Sequence, residues 1–212
     1  MTALDPAPMF PFPIAAARPL RLTDATVDVG DLAAFTAFLD RVRGDAPSLI
    51  GGYAELRGVY AASPLFGGAA ADSVAEPRSL HLGVDVWAPA GTPLRAPLAG
   101  VVHSFADNHR FGDYGATIIL THADPGGRTF HALYGHLARR SLADLREGQA
   151  IARGAVFAWV GTPQENGGWP PHLHLQRIED LQGRRGDFPG VVRPSEREHW
   201  LRVCPDPGDL LV

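Results

Sequence analysis

Three short segments of this 212-residue chain place chemically versatile side chains two or four positions apart. The segments are 81-HLGVD-85, 134-YGH-136 and 172-HLH-174. Successive side chains of a β-strand point to opposite faces of the sheet, so residues two or four positions apart share a face. The spacing predicts three same-face pairs, which are His81 with Asp85, Tyr134 with His136, and His172 with His174. If the three strands are neighbours, the pairs converge on one cleft.

The alternate positions of these segments are apolar, as expected for strands with one face in a hydrophobic core. In the first segment they are Leu80, Leu82, Val84 and Val86, and in the third they are Leu173 and Leu175. Gly83 lies on the polar face between His81 and Asp85 and has no side chain to fill it. Each segment therefore predicts a strand with potentially reactive polar side chains on one face and apolar core residues on the other.

Imidazole and carboxylate groups are common ligands of Zn²⁺, and a catalytic zinc site takes three protein ligands and keeps one position open. Two histidines and one aspartate meet that count. A zinc ion would lower the pKa of its water toward about 7 and polarise a carbonyl group. The three segments contain five histidine and aspartate side chains, so two remain for proton transfer. The predicted chemistry is metal-assisted hydrolysis.

Five segments also follow one another in the order of a known family. They are 81-HLGVD-85, 90-AGTPLRAPLAGVV-102, 134-YGHL-137, 148-GQAIARG-154 and 171-PHLHL-175. In content and order they resemble the lysostaphin/LytM zinc metallopeptidases. The resemblance covers about half of the chain, from Leu80 to Ile178.

The resemblance implies a role for each matched residue. In the family, zinc is bound by the first histidine and the aspartate of His-x-x-x-Asp and by the second histidine of His-x-His. This implies His81, Asp85 and His174 as ligands of Zn²⁺, with His136 and His172 as the catalytic pair. The implied function is hydrolysis of a peptide (amide) bond by a zinc metalloendopeptidase, with a peptidoglycan cross-bridge or stem peptide as the family's substrate.

Other residues near these motifs have less specific interpretations. Four histidines match no family position and are predicted to be solvated or core residues, namely His103, His109, His122 and His199. His131 lies five positions before His136, so a regular strand points it away from the site. Tyr134 either donates a hydrogen bond to a tetrahedral intermediate or simply packs. Trp169 either walls the cleft or stiffens its loop.

The surroundings of the motifs depart from the wall-cutting members of the family. Those members have a glycine-rich approach to His-Leu-His, whereas this chain has 166-NGGWPPHLHLQ-176. The start of the sequence, broken by four prolines between Pro6 and Pro13, does not resemble a signal peptide, so a cytoplasmic location is expected. Several flanking stretches resemble a subgroup fused to kinase-like and aminotransferase modules. The alternative function is therefore an intracellular zinc-binding module or amidohydrolase that acts with a partner enzyme on a small ligand.

The overall composition excludes other classes of function. A net charge of -4 and a pI near 6.1 give no reason to expect nucleic acid or an acidic membrane surface as a partner. No stretch reaches the roughly 18 to 20 apolar residues of a membrane helix. The single cysteine, Cys204, forms no intramolecular disulfide.

The elements that must position the site are predicted to be mainly β. Short alternating runs with short connections favour an antiparallel sheet or sandwich of LytM type, with a short N-terminal helical extension. The helix is predicted to begin after Asp31 as N-cap and to end at Gly44. The predicted units are an N-terminal extension with one helix and loops (1–77), the LytM-like metallopeptidase domain (78–180) and a C-terminal tail packed on that domain (181–212).

Overall fold

The computed structural model describes residues 4–23, 25–61, 64–67 and 76–212, and most of its regular structure is β. Its strands are β1 (Arg18–Leu20), β2 (Leu49–Gly51), β3 (Leu80–His81), β4 (Val84–Trp87), β5 (Pro93–Arg95), β6 (Gly100–Asn108), β7 (Gly115–Ala123), β8 (Thr129–Leu137), β9 (Ala150–Ile151), β10 (Val156–Trp159), β11 (His172–Ile178) and β12 (Val191–Val192). Its α-helices are α1 (Leu32–Arg43), α2 (Gly58–Ala61) and α3 (Arg197–Val203). Short 3₁₀ turns cover Ile14–Ala16, Pro64–Phe66, Arg139–Leu142, Pro194–Glu196 and Pro207–Leu210.

Eight of these strands form one sheet in the order β1-β2-β4-β11-β8-β7-β6-β9. Every neighbouring pair is antiparallel except β1 and β2, which are parallel. Two smaller antiparallel pairs, β5 with β10 and β3 with β12, lie outside the main sheet. The mainly β, antiparallel fold predicted from the sequence is confirmed.

The two faces of the main sheet pack into different hydrophobic clusters. On β11, Leu173 and Leu175 belong to one cluster, whereas Ile178 belongs to the other. The alternation predicted for this strand is therefore present. It leaves His172 and His174 on the face opposite the two leucines, as strand parity requires.

The segment 81-HLGVD-85 differs from the single strand that the sequence predicts. His81 ends β3, which pairs with β12, and Asp85 lies on β4 in the main sheet, with a bend at Gly83 between them. The apolar residues on the two sides of the bend are all buried but join different clusters: Leu80 and Leu82 in one, Val84 and Val86 in the other. His81 and Asp85 are thus brought together by a bend between two strands.

The N-terminal residues extend the sheet as well as forming the predicted helix. The Asp31 side chain accepts a hydrogen bond from Ala34 N at the start of α1, and Gly44 ends the helix with a φ of 53°. The connector from Ser48 to about Pro77, which the sequence predicts as loop-rich, contains β2 and α2, and β2 pairs with β4. Residues 62–63 and 68–75 of the connector lie outside the described residues.

The C-terminal residues contribute β12 and α3, and Cys204 is buried in the cluster that contains Leu80. Across the described ranges, no helix has the length and apolar character needed to cross a membrane.

Candidate active site

The structure brings three of the predicted site residues into direct contact. Asp85 on β4 is the strand partner of His174 on β11, and His81 reaches them from the end of β3. His81 Nε2 lies 3.0 Å from His174 Nδ1 and 3.3 Å from Asp85 Oδ1, and His174 Nδ1 lies 3.0 Å from the same Oδ1. Among the described residues, these three form the one group of three or more side chains with ligand atoms close enough to share a metal ion.

The outer hydrogen bonds of the group leave lone pairs facing inward. His174 Nε2 lies 2.9 Å from Gln176 Oε1, and Gln176 Nε2 donates to Pro189 O at 3.0 Å. His174 therefore donates from Nε2 and presents Nδ1 as an acceptor. His81 Nδ1 faces Gly52 O at 3.5 Å, which leaves His81 Nε2 as the second acceptor. Two acceptors and a carboxylate oxygen cannot hydrogen bond to one another, so their convergence favours a cation. Zinc bonds of about 2.0–2.1 Å in tetrahedral geometry separate ligand atoms by roughly 3.3 Å, which the observed triangle approaches.

Burial and charge keep these groups in the forms that a metal requires. Burial, with the nearby Arg57 cation, lowers the pKa of His81 to about 3, so its imidazole is neutral. Burial alone would raise the pKa of Asp85, but the Arg57 cation, which donates to Oδ2, holds that pKa well below its usual value. Neutral imidazole and ionised carboxylate are the metal-binding forms.

His136 and His172 form a second pair beside this group, with ring centroids 4.1 Å apart. His136 donates from Nδ1 to Asn166 O at 2.8 Å, and His172 donates from Nδ1 to Pro170 O at 2.7 Å. Each ring therefore keeps Nε2 as a proton acceptor. Burial lowers the pKa of both imidazoles, and for His136 the neighbouring His172 adds to this effect.

The backbone around His136 breaks the strand alternation that the sequence predicts. His136 has a φ of 62°, and the β7–β8 register shifts between Ala116 and Ile118, as in a β-bulge. Tyr134 consequently lies in the core, with its ring 4.9 Å from that of Phe157. The prediction that Tyr134 shares the face of His136 is wrong, because the bulge places Gly135 and His136 opposite the single residue Thr117 and so interrupts the alternation. Of its two proposed roles, packing is the one observed.

The tyrosine beside the site histidines is Tyr114, not Tyr134 as strand parity predicted. Its ring centroid lies 5.4 Å from that of His136 and 5.2 Å from that of His174. Its hydroxyl lies 3.5 Å from His174 Nε2. Burial raises the pKa of Tyr114 well above its usual value, so the phenol stays protonated and can donate a hydrogen bond. Tyr114 was missed from the sequence because it lies just before β7 and belongs to no motif.

The five predicted site residues line one cleft of about 540 Å³. Tyr60, Phe66 and Trp169 form an aromatic wall, in which the Tyr60 and Phe66 rings stack at 4.4 Å and the Trp169 ring lies 6.1 Å from Phe66. Trp169 is also 6.4 Å from the ring of His136. Trp169 therefore walls the cleft, which decides between its two interpretations. Part of this wall comes from the N-terminal residues.

The histidines predicted to be ordinary residues all lie outside the cleft. His131 makes a 3.0 Å hydrogen bond with Thr121 and pairs with Ile178, which shares a sheet face with His174. The prediction that His131 points to the opposite face is therefore wrong, because the bulge at His136 interrupts the alternation, but His131 still lies outside the cleft. His122 is buried, and its Nδ1 donates to Ala99 O at 3.0 Å. These contacts are those of core or surface histidines.

Sequence reasoning missed Glu55 and Arg57, which precede α2. The Arg57 guanidinium is fully buried and donates to Asp85 Oδ2 at 2.7 Å and to Glu55 Oε2 at 2.9 Å. The connector around them has no periodic pattern or motif, so the sequence contains no local signal for a contact 28 residues away.

Residues 79–185, just over half of the chain, match peptidase family M23, and the chain belongs to this family. The DD-carboxypeptidase/endopeptidase Mpg of Neisseria meningitidis serogroup B (strain MC58) is 39% identical over 97 residues, which cover 46% of this chain and 20% of that protein. The Neisseria gonorrhoeae protein of the same name is 38% identical over the same shares. The chain thus covers about a fifth of the length of these curated relatives.

Solved structures of two peptidases are also similar. The lysostaphin catalytic domain of Staphylococcus simulans is 24% identical, with 55% of this chain and 77% of that chain covered and a TM-score of 0.39. A putative peptidase M23 from Pseudomonas aeruginosa is 26% identical, with 61% and 42% covered and a TM-score of 0.40.

Proposed function

We propose that this M23 family member is a zinc metalloendopeptidase that hydrolyses a peptide amide bond, with His81, Asp85 and His174 as ligands of Zn²⁺. The observation that supports this most is the 3.0–3.3 Å triangle of three acceptor atoms beside a second pair of neutral histidines. Three protein ligands with one side open to a cleft are the arrangement of a catalytic zinc site.

Zinc, when bound, supplies a Lewis acid that makes water acidic and polarises a carbonyl group. The protein supplies proton transfer and orientation. In the proposed mechanism, Nε2 of His136 or His172 accepts a proton from the attacking water and returns it to the leaving amine. The backbone carbonyls of Asn166 and Pro170 hold the two rings in the tautomer that this role needs. Tyr114, a protonated phenol, donates a hydrogen bond to the oxyanion as it forms.

The proposed substrate is a peptide of the peptidoglycan type, either a stem peptide or a cross-bridge. Membership of family M23 and the name of the Neisseria relatives, DD-carboxypeptidase/endopeptidase, support this class. The cytoplasmic location, and the partner enzyme of the alternative function, stay predictions from the sequence, and cell fractionation followed by immunodetection tests the location.

Metal analysis and a peptide cleavage assay test the proposal. Protein purified without chelators should contain close to one zinc per chain, and His81→Ala should lose it because one of three ligand atoms is gone. The zinc-loaded protein should release new amino groups from peptides that contain glycine runs or D-amino acids. Wild-type protein that binds no zinc would contradict the proposal. Bound zinc without cleavage across the panel would instead favour a non-hydrolytic zinc-binding module.

A further inference from the structure

Arg57 lies in an ionic network between the N-terminal residues and Asp85. Its Nε donates to Glu55 Oε2 at 2.9 Å, and its Nη1 donates to Tyr60 Oη and to Asp85 Oδ2, both at 2.7 Å. The side chains of Arg57 and Asp85 are 0% and 2% exposed. Both protons of Nη1 are therefore used, and the guanidinium is fixed in orientation.

The N-terminal segment that carries Arg57 is attached directly to the strand that carries the first proposed ligand. His81 N donates to Glu55 O at 2.9 Å, and Arg57 N donates to Ser79 O at 2.9 Å. Glu55 is held in turn, because its Oε1 accepts a 2.7 Å hydrogen bond from Leu22 N. The charged pair is thus anchored by backbone contacts on both sides.

The Arg57 guanidinium fits in its buried position because residue 51 is a glycine. A Cβ on Gly51 would lie 3.0 Å from Arg57 Nη2 and 2.8 Å from the Trp87 ring. Nη2 has no hydrogen-bond partner among the described residues. A buried ion pair gives little net stability, because loss of hydration offsets the attraction. The main effect of this network is therefore on Asp85, which Arg57 contacts directly.

The two carboxylate oxygens of Asp85 have different surroundings. Oδ2 accepts from Arg57, whereas Oδ1 lies 3.0 Å from His174 Nδ1 and 3.3 Å from His81 Nε2. A carboxylate free to rotate could present either or both oxygens. With Oδ2 occupied by the guanidinium, Oδ1 alone faces the two imidazoles.

We infer that Arg57 is a positioning residue for the metal site: it binds Oδ2 of Asp85 and so reserves Oδ1 for the ion. This inference rests on the proposed zinc function and assigns a part of the site to residues before the M23 match at 79–185. Partners that orient a metal ligand are typically worth about 10- to 100-fold in metal affinity.

The test compares variants that hold the charge of the network constant. Glu55→Gln with Arg57→Met removes one negative and one positive group, so the remaining effect on Asp85 is orientation. We expect zinc affinity, measured by competition with a chromophoric chelator at one fixed pH, to fall about 10- to 100-fold relative to the reference, which is the wild-type protein with the same net charge in the network. The visible absorption bands of the Co²⁺-loaded double variant should also change in position and intensity, because they report which atoms surround the metal.

Arg177→Met is the matched control. Arg177 also contacts two carboxylates, those of Glu179 and Asp209, but its guanidinium lies over the ring of Phe130 in the core cluster on the other face of the sheet. This variant should keep the wild-type zinc affinity and Co²⁺ spectrum. If the double variant does not fold, Tyr60→Phe removes one partner of Nη1 and should weaken zinc binding by about 2- to 10-fold.

Zinc affinity within about threefold of the reference, with an unchanged Co²⁺ spectrum, would overturn the role of Arg57. Wild-type protein without zinc would instead contradict the proposed function, so the two failures are distinguishable.

Discussion

Gly83 and His174 lie so close that a Cβ atom on residue 83 would be 2.6 Å from Cε1 of the His174 ring. The same Cβ would be 2.6 Å from the carbonyl oxygen of Leu175. The absence of a side chain at residue 83 therefore leaves the space that the His174 ring occupies. The sequence suggested only that Gly83 keeps a strand face open, whereas the structure requires glycine at this position.

Gly83→Ala should displace the His174 ring and weaken zinc binding. Overpacking of this kind costs about 1–3 kcal/mol, so the free energy of unfolding should fall by a similar amount. Chelator competition and denaturant unfolding measure the two effects. Gly52→Ala is the control, because its Cβ would lie 4.0 Å from Glu55 Cβ, an ordinary contact. Equal zinc affinity in the two variants would refute the steric argument.

His136→Ala should keep zinc and lose turnover. His136 supplies none of the three atoms in the metal triangle, and loss of a general acid or base lowers kcat by about 10²- to 10⁴-fold. Metal content and peptide hydrolysis are measured on the same preparation. His131→Ala, outside the cleft, should keep both properties. A His136→Ala protein with wild-type turnover would remove this residue from the mechanism.

Separate phenylalanine variants of Tyr114 and Tyr134 test which tyrosine acts in the cleft and which packs in the core. Tyr114→Phe should retain zinc and lower kcat by about 10²- to 10³-fold, the usual effect of losing an oxyanion donor. Tyr134→Phe should leave kcat unchanged and lower the free energy of unfolding by about 0.5–1.5 kcal/mol, since its hydroxyl lies 3.4 Å from His122 Nε2. The reverse pattern of kcat would restore the assignment made from strand parity.

The thiol of Cys204 should be unreactive in the native protein. Burial raises its pKa from 9.0 to about 12, so at pH values near neutrality it is a protonated, enclosed group. Alkylation with iodoacetamide at about pH 8 should be slow until denaturant is added.

The same shift predicts how stability depends on pH. The folded state holds the thiol proton more tightly than the unfolded state, so this contribution is complete below pH 9 and is lost as the pH rises toward 12. The free energy of unfolding should decrease over this range, and the decrease should be smaller in Cys204→Ala. Rapid alkylation of the native protein, or an identical pH dependence in both proteins, would contradict the assignment.

Strand parity predicted the parts of the site where the strands are regular. His172 and His174 share a face because β11 alternates without interruption, and Leu173 and Leu175 are buried opposite them. Parity failed at Tyr134, because the irregular backbone at His136 has no signature in the side-chain pattern. For His81 and Asp85 the pairing was predicted correctly but for a different physical reason, a bend in place of a continuous strand.

The contribution of the N-terminal residues could not be predicted, because it depends on long-range contacts. Glu55 and Arg57 lie in a connector without apolar periodicity, where charged residues are usually solvated. Their burial follows from the pairing of β2 with β4, which the sequence did not indicate. Glu55 and Arg57 therefore contact the site because of where the fold places them, and their residue types alone did not predict it.

The main sheet ends at both edges in very short strands, the three residues of β1 and the two of β9. Proline at position 19 removes one backbone donor from β1. The β1 edge therefore offers only a short row of free N–H and C=O groups, whereas strand addition by another chain requires a long one. At the other edge β9 pairs with only Gly100 and Val101 of β6. A substrate peptide is therefore not expected to extend the sheet at β1, and recognition in the cleft is expected to come from its side chains. Loss of the residues before α2 would remove β1 and β2. β4 would then be the edge strand, and its free backbone groups would be open to self-association.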